Sequence, residues 1–331
     1  MGPMGLRHLQ AVRLVEHVQL VALVDARPEA LAAAKVDSIP TYSDANRMLA
    51  DMCPDTIIVA TNGPSHCALV LAAVAAGAQN ILCEKPIACS IAEAEEMIRA
   101  AHERGCALAV NHSRRHVPAY AWLARRLQSG EWGQLRSILS SWPGVGLGCN
   151  ATHMIDLWSF LGGETLNTVF GWVDPIRGPN PRGPEYQDPG GMVVATSALG
   201  TRYVHEQIED GAGPRTLTIE TTCAQIRVDE RIGSIEVLAR DASVRPGPGR
   251  PPKYDVVPLP TEASLNLDIV HLSAEILREL VEEREITCTA EHGLRSLEVI
   301  VGAHLSDRHG HGPVVLPITD ADAKAIRLPI T

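Results

Sequence analysis

The chain has 331 residues, with 29 Lys+Arg against 39 Asp+Glu and a formal net charge of −10. That length suggests about two domains, and 45% hydrophobic with 21% charged residues is the composition of a globular protein, not of a disordered, collagenous or coiled-coil one. The acidic balance argues against nucleic acid or an anionic membrane as partner, because both select basic surfaces, and no apolar run reaches the ~18 residues of a membrane span.

The first 25 residues lack a signal-peptide layout. Eight cysteines are present and none forms a C-x-x-C pair, so they read as scattered small core residues in a reducing, cytoplasmic setting.

In chain order, Leu6, Leu9, Val12 and Val15 recur at near-helical spacing, and Val18 to Val24 follows as a continuous apolar strand. Thr56 to Ala60 is a second β-branched run, and a helix from about Pro64 to Ala76 ends at Gly77. Asn80 to Cys83 is the next strand and runs into Glu84-Lys85-Pro86. Ser90 as N-cap with Glu93 three residues on makes a capping box. The helix it opens stops at Gly105, and Cys106 to Val110 is a further strand. Short continuous apolar strands separated by helices predict an α/β, doubly wound parallel sheet covered on both faces.

After about residue 115 the pattern changes. Leu135 to Ser141 reads as a strand and His153 to Leu161 as a helix closed by Gly162-Gly163. A Pro/Gly-rich loop spans 174–191, and strands are expected at 192–198, 201–209, 215–223 and 234–239, with a tight turn at Leu199-Gly200. A second Pro/Gly-rich segment, 245–253, precedes helices over 265–283 and 291–307. This predicts an α+β domain with a mostly antiparallel open sheet. The division expected is 1–115 for dinucleotide binding and 116–331 for substrate binding and oligomerisation, with the C-terminal segment packing back on the first domain.

Gly2-Pro3-Met4-Gly5 precedes the first helix, and Asp25 ends the following strand. This matches the back part of a dinucleotide fingerprint, in which glycines admit the pyrophosphate and the acid bonds the ribose hydroxyls. Asp25 favours NAD over NADP, and Arg27 nearby weakens that preference. The alternative is an ordinary Gly-rich start to a surface helix. The first glycine and its strand do not precede Gly2. A parallel sheet without that central strand is therefore expected, and in-frame codons for about eight more residues upstream. Thr61, Asn62 and His66 in one turn and Glu84-Lys85-Pro86 in another follow strands whose carboxyl ends line the ligand crevice of such a sheet.

Gly2-x-x-Gly5-x-x-His8, Ala60-Thr61, His66, Glu84-Lys85-Pro86, Asn111 with Arg114-Arg115, and His153-Met154-Ile155-Asp156 occur in the order of one family. So does the closing stretch from Glu291-His292-Gly293-Leu294 to Val315-Leu316-Pro317. The chain resembles the glucose–fructose oxidoreductase, inositol dehydrogenase and rhizopine-catabolism (Gfo/Idh/MocA) family over nearly its whole length. The resemblance implies a Rossmann domain with NAD as cofactor (NADP being possible), a second domain that builds homodimers or homotetramers, and hydride transfer at a hydroxyl-bearing carbon of a sugar, sugar nucleotide or cyclitol. Gly2, Gly5, Asp25, Thr61, Asn62, His66, Glu84 and Lys85 would hold the cofactor. Lys85, Arg114, Asn150 and His153 would meet substrate, with Lys85 and His153 catalytic. A histidine suits acid–base work because its pKa lies near working pH.

Many members of the family place an aspartate four residues before the histidine, where this chain has Cys149. A thiol carries no fixed charge at neutral pH, so a non-catalytic ligand-sensing or regulatory protein on the same fold is the competing reading. Arg177 and Arg182 in the 174–191 loop can grip a diphosphate, although a solvated surface loop is the plainer reading. His304, His309 and His311 lack partners at ligand spacing, so no metal site is expected.

Overall fold

The computed structural model describes residues 1–330 apart from 35, 37, 145, 177–179, 181–182, 242 and 244–252. These fall into two compact units, one of 1–113 with 268–294 and one of 114–267 with 295–330. The sequence reading sets the boundary at 115 and has the C-terminal segment pack back on the first domain; residues 268–294 are the part grouped with the first unit.

The first unit alternates helix and strand: α1 (Pro3–Val12), β1 (Leu23–Val24), α2 (Pro28–Ala32), β2 (Thr41–Tyr42), α3 (Ala45–Met52), β3 (Thr56–Val59), α4 (His66–Ala75), β4 (Asn80–Cys83), α5 (Ile91–Glu103) and β5 (Ala107–Val110). Gly2 caps α1 in an extended conformation with Pro3 in the first turn, where a missing N–H costs nothing. The N-cap half of the capping box forms, Glu93 N–H donating to Ser90 Oγ at 3.2 Å, while the Glu93 carboxylate reaches one residue further back and accepts from the Cys89 N–H. All strand pairs are parallel, in two sheets of order β1-β2 and β3-β4-β5. The predicted strand 18–24 shrinks to Leu23–Val24, because a ladder exists only where the partner, Thr41–Tyr42, runs beside it.

In the second unit come α6 (Pro118–Gln128), β6 (Leu135–Pro143), α7 (Thr152–Gly162), β7 (Leu166–Val173), β8 (Gly191–Ser197), β9 (Arg202–Ile208), β10 (Thr216–Thr221), β11 (Ala224–Asp229), β12 (Ser234–Ala239) and β13 (Asp255–Val256). The chain then returns to the first unit as α8 (Ile269–Val281) and goes on through α9 (Ala290–Arg308), β14 (Val314–Val315) and α10 (Ala321–Ala325). In the first unit, Ala274 and Leu277 of α8 pack with Ala11, Val12 and Val15, and Ile276 and Leu280 pack with Leu82 and Ala109. One face of β3-β4-β5 is thereby covered by α8, while α4 and α5 pack against the strands as well.

The second unit holds a nine-stranded sheet of order β13-β12-β11-β10-β6-β9-β8-β7-β14, antiparallel except between β6 and β9. Its pleat separates two faces. Ile138, Tyr203, Ala195 and Val169 share a rung and are fully buried, and Trp158 of α7 stacks near Tyr203 at 5.6 Å. On the same face a Cβ at Gly171 would lie 2.2 Å from the Ala303 carbonyl, so α9 crosses close against β7. The neighbouring rung, Leu139, Val204, Val194 and Phe170, points to the opposite face, where Leu139 is 44% exposed. Among the described residues no helix is long and apolar enough to cross a membrane.

Candidate active site

In the first unit the candidate residues sit at the N-terminus of α1 and at the ends of parallel strands. The N-terminus of α1 has no side-chain cap, which leaves first-turn N–H groups able to bond an anion. Asp25 follows β1; its carboxylate accepts from the Arg27 backbone N–H at 3.0 Å and from the Arg27 guanidinium at 3.2 and 3.3 Å, and the Met1 amine lies 3.2 Å away. Burial opposes ionisation of Asp25, but Arg27 and that amine outweigh it and hold the carboxyl below its ordinary range. An uncapped helix start followed by an ionised carboxylate at the end of the next strand fits a dinucleotide, the glycine turn meeting the pyrophosphate and Asp25 the ribose.

After β3, Thr61 and Asn62 are exposed, and the Ser65 hydroxyl bonds Thr61 Oγ1 at 2.7 Å. His66 is fully buried, with Nδ1 2.8 Å from the Pro86 carbonyl and Nε2 3.1 Å from the Thr61 carbonyl. Its ring ties the turn after β3 to the turn after β4. Burial holds its pKa below the usual histidine value, against the opposing pull of those carbonyls and of Glu84.

The turn after β4 carries Glu84, Lys85 and a cis peptide to Pro86. Glu84 is buried; its Oε1 accepts from Asn111 Nδ2 and pairs with His8 Nε2, both at 2.7 Å, and Oε2 accepts from the Lys85 N–H at 3.3 Å. Burial raises its pKa, but His8, the Lys85 charge and Asn111 override this and bring it down to about 2. Ser273 of α8 completes the set, exchanging hydrogen bonds with the Asn111 side chain at 3.2 and 3.3 Å. Lys85 itself is half-buried. The carboxylate that precedes it is thus ionised and tied to α1 and to the ends of β4 and β5, a rigid base for that turn.

In the second unit, a single π-type turn over Leu147–Ala151 leads into α7, which begins at Thr152 and carries His153. Asp188 pins that turn by accepting from Gly148 N–H at 2.8 Å and Cys149 N–H at 2.7 Å. Gly146, at φ +93°, passes so close that a Cβ would lie 2.2 Å from the same carboxylate. Asn150 N–H donates to the Gly146 carbonyl at 3.0 Å. Asp188 escaped sequence reasoning because it lies 39 residues from Cys149, in a Pro/Gly-rich loop with no periodicity. The arginines of that loop, Arg177 and Arg182, lie outside the described residues.

The His153 ring stacks on Trp142 of β6, with centroids 6.1 Å apart and planes at 17°. Arg114 lies over the Trp142 ring at 4.5 Å and bonds Glu230 through Nε and Nη2, both at 2.8 Å, with the Tyr120 hydroxyl on the same carboxylate. The Arg114 guanidinium is therefore committed within the protein, and it holds Glu230 low despite burial. Arg115 likewise grips Asp156 of the His-x-x-Asp segment. Among the described residues no cluster of His, Cys, Asp or Glu can hold a metal ion.

Residues 1–112 match the model of the Gfo/Idh/MocA oxidoreductase family, with its NAD-binding Rossmann fold. A D-apiose dehydrogenase of Paraburkholderia graminis is 28% identical over 96% of this chain and 88% of its own length. Two solved structures share the fold over 96% of this chain. The WlbA dehydrogenase from Bordetella pertussis, in complex with NADH and UDP-GlcNAcA, is 17% identical with a TM-score of 0.81 over 96% of its chain. A levoglucosan dehydrogenase in complex with NADH and levoglucosan is 20% identical with a TM-score of 0.78 over 97% of its chain. Residues 1–112 thus match the NAD-binding Rossmann region of the Gfo/Idh/MocA oxidoreductase family, and the fold of these solved structures is shared along nearly the whole chain.

Proposed function

We propose that the protein is an NAD(P)-dependent dehydrogenase acting on a hydroxyl-bearing carbon of a sugar, sugar nucleotide or cyclitol. The observation that carries this reading is the Glu84-Lys85-Pro86 turn, held at the carboxyl end of β4 by an ionised, buried Glu84. Relatives named D-apiose dehydrogenase and levoglucosan dehydrogenase support the substrate class. NAD(P), when bound, supplies the hydride acceptor. Gly2, Gly5, Asp25, Thr61, Asn62, His66 and Glu84 form or support its binding surface. Lys85 donates a hydrogen bond to the substrate hydroxyl and to the cofactor ribose, easing loss of the hydroxyl proton. His153 receives that proton through Nε2, since its Nδ1 is enclosed by the protein, and Asn150 orients the hydroxyl. As the C–H bond breaks the electron pair leaves as hydride, so one proton and one hydride depart and a carbonyl remains.

The test is a panel of sugars, sugar nucleotides and cyclitols with NAD and with NADP, followed by NADH or NADPH absorbance. Lys85→Ala abolishes turnover, and His153→Ala lowers it by about 10²–10⁴, the range of acid–base groups. Full activity in Lys85→Ala refutes the assignment. Cys149, standing where many family members place an aspartate, favours one competing reading: a ligand-sensing protein that binds without turnover. Calorimetric NAD binding with no product from any substrate would establish it.

The same reading places the protein in the cytoplasm, consistent with eight free cysteines. It makes the open face of the nine-stranded sheet, with Leu139 and Trp172 exposed, the surface of a homodimer or homotetramer. Light scattering of wild type against Leu139→Asp tests that surface.

A further inference from the structure

The second unit contains a cavity of about 350 Å³ lined by Pro143, Gly213, Arg215 and Arg231, large enough for a small ligand. Sheet register builds it. Thr216 of β10 pairs with Ser141 of β6 and Asp229 of β11, and Glu230 N–H donates to the Arg215 carbonyl at 3.0 Å. The ends of three adjacent strands thus converge, bringing together residues far apart in sequence.

Arg114, Arg215 and Arg231 share one nearby carboxylate. Arg114 and Arg215 lie over the Trp142 ring at 4.5 and 4.4 Å; Arg114 bonds Glu230 twice, and the Glu230 charge acts on Arg215 without a bond. Among the described residues neither Arg215 nor Arg231 has an ion-pair partner. Burial and the Arg114 charge depress the Arg215 pKa, although an arginine so placed stays protonated at neutral pH. Cations crowded beside an open cavity gain from an anion and nothing comparable from a neutral hydroxyl.

We propose that this cavity is the substrate's anion subsite, in which Arg215, assisted by Arg231, binds a carboxylate or phosphate on the sugar. This deepens the dehydrogenase reading and rests on it for the site's purpose. Trp142 supplies the link: Arg215 and the His153 ring both lie against its indole, at 4.4 and 6.1 Å. Both side chains thus border one indole. An acid group on Arg215 would then set which hydroxyl reaches His153. Arg114, over the same indole and bonded to Glu230, holds Trp142 in place.

Calorimetric titration of the full chain with D-glucuronate, D-glucose 6-phosphate, D-glucose and inorganic phosphate tests this, with and without NADH. Either acidic sugar is expected to bind roughly tenfold or more tightly than D-glucose, the scale of one charge-assisted contact. Which acidic sugar binds more tightly identifies carboxylate or phosphate as the group taken. Arg215→Ala and Arg231→Ala reduce that affinity toward the D-glucose value, and Arg215→Lys retains part of it. NADH binding stays as in wild type in all three, and a wild-type urea midpoint in tryptophan fluorescence reports that the second unit folds. Equal binding of D-glucose and the acidic sugars, no binding of either acidic sugar, unchanged affinity in Arg215→Ala, or inorganic phosphate binding as tightly as both acidic sugars would overturn the proposal. A failure of the dehydrogenase reading is seen separately, as acidic-sugar binding without NADH binding or turnover.

Discussion

Replacing Glu84 by glutamine keeps the side chain's size and removes its charge. In the folded protein the Glu84 carboxyl is held at about 2 against an ordinary value of 4.5. At about 1.36 kcal/mol per pH unit, that difference contributes about 3 kcal/mol of folding free energy at neutral pH. The folded pKa lies below the unfolded one. The contribution is therefore fully present above the unfolded value and is lost as pH falls toward 2. The amide oxygen of Glu84→Gln still accepts from Asn111 and His8, while its NH2 replaces the oxygen that accepts from the Lys85 N–H at 3.3 Å, so the loss reads the charge together with that one long bond. Urea unfolding followed by far-ultraviolet circular dichroism measures it, at neutral pH and again between the two pKa values. All five tryptophans lie between residues 122 and 172, in the second unit, so their fluorescence serves as an internal reference. The variant is expected to lose about 3 kcal/mol at neutral pH in the dichroism transition, to show a flatter acid dependence, and to leave the fluorescence transition in place. A wild-type midpoint at neutral pH, or an undiminished acid dependence, would refute the reasoning.

Asp188→Ala strips two N–H groups of a charged acceptor and is expected to cost about 3 kcal/mol, at about 1.5–3 kcal/mol per charge-assisted bond. Tryptophan fluorescence should register it, and a midpoint equal to wild type would show that Asp188 does not hold the turn before His153. Arg27→Ala removes the cation that clasps Asp25 and is expected to lower affinity for NADP relative to NAD. Calorimetric titration with both nucleotides reads the ratio, and a ratio moving toward NADP would contradict the role given to Arg27.

Much of the first unit was legible from local rules. Ser90 and Glu93 announce the start of α5 because a capping box is satisfied within one turn. The runs at Thr56, Asn80 and Ala107 announce strands because a sheet buried on both faces needs continuous apolar residues. Other elements carried no such pattern. β7 contains Asn167 and Gly171, the latter required by the approach of the Ala303 backbone and not by strand propensity. β11, a half-buried strand running Ala224–Asp229, falls between the expected strands 215–223 and 234–239. α6 was signalled only by Pro118 at its first position. The return of α8 to the first unit leaves no mark in its own residues, since an apolar helix face does not specify what it covers.

The amino-acid sequence by itself determined the fold class and the Glu84-Lys85-Pro86 turn, because each depends on residues a few positions apart. Tertiary structure alone decided which of those residues are free to act. Glu84 is matched to His8 from 76 residues away, and Arg114 is taken by Glu230 from 116 residues away. Arg215, which no motif marks, is left with its charge open beside a cavity. Charge pairing acts through space over a few ångströms, so the partner of a buried ion is set by how the strands come together and not by the order in which they are made.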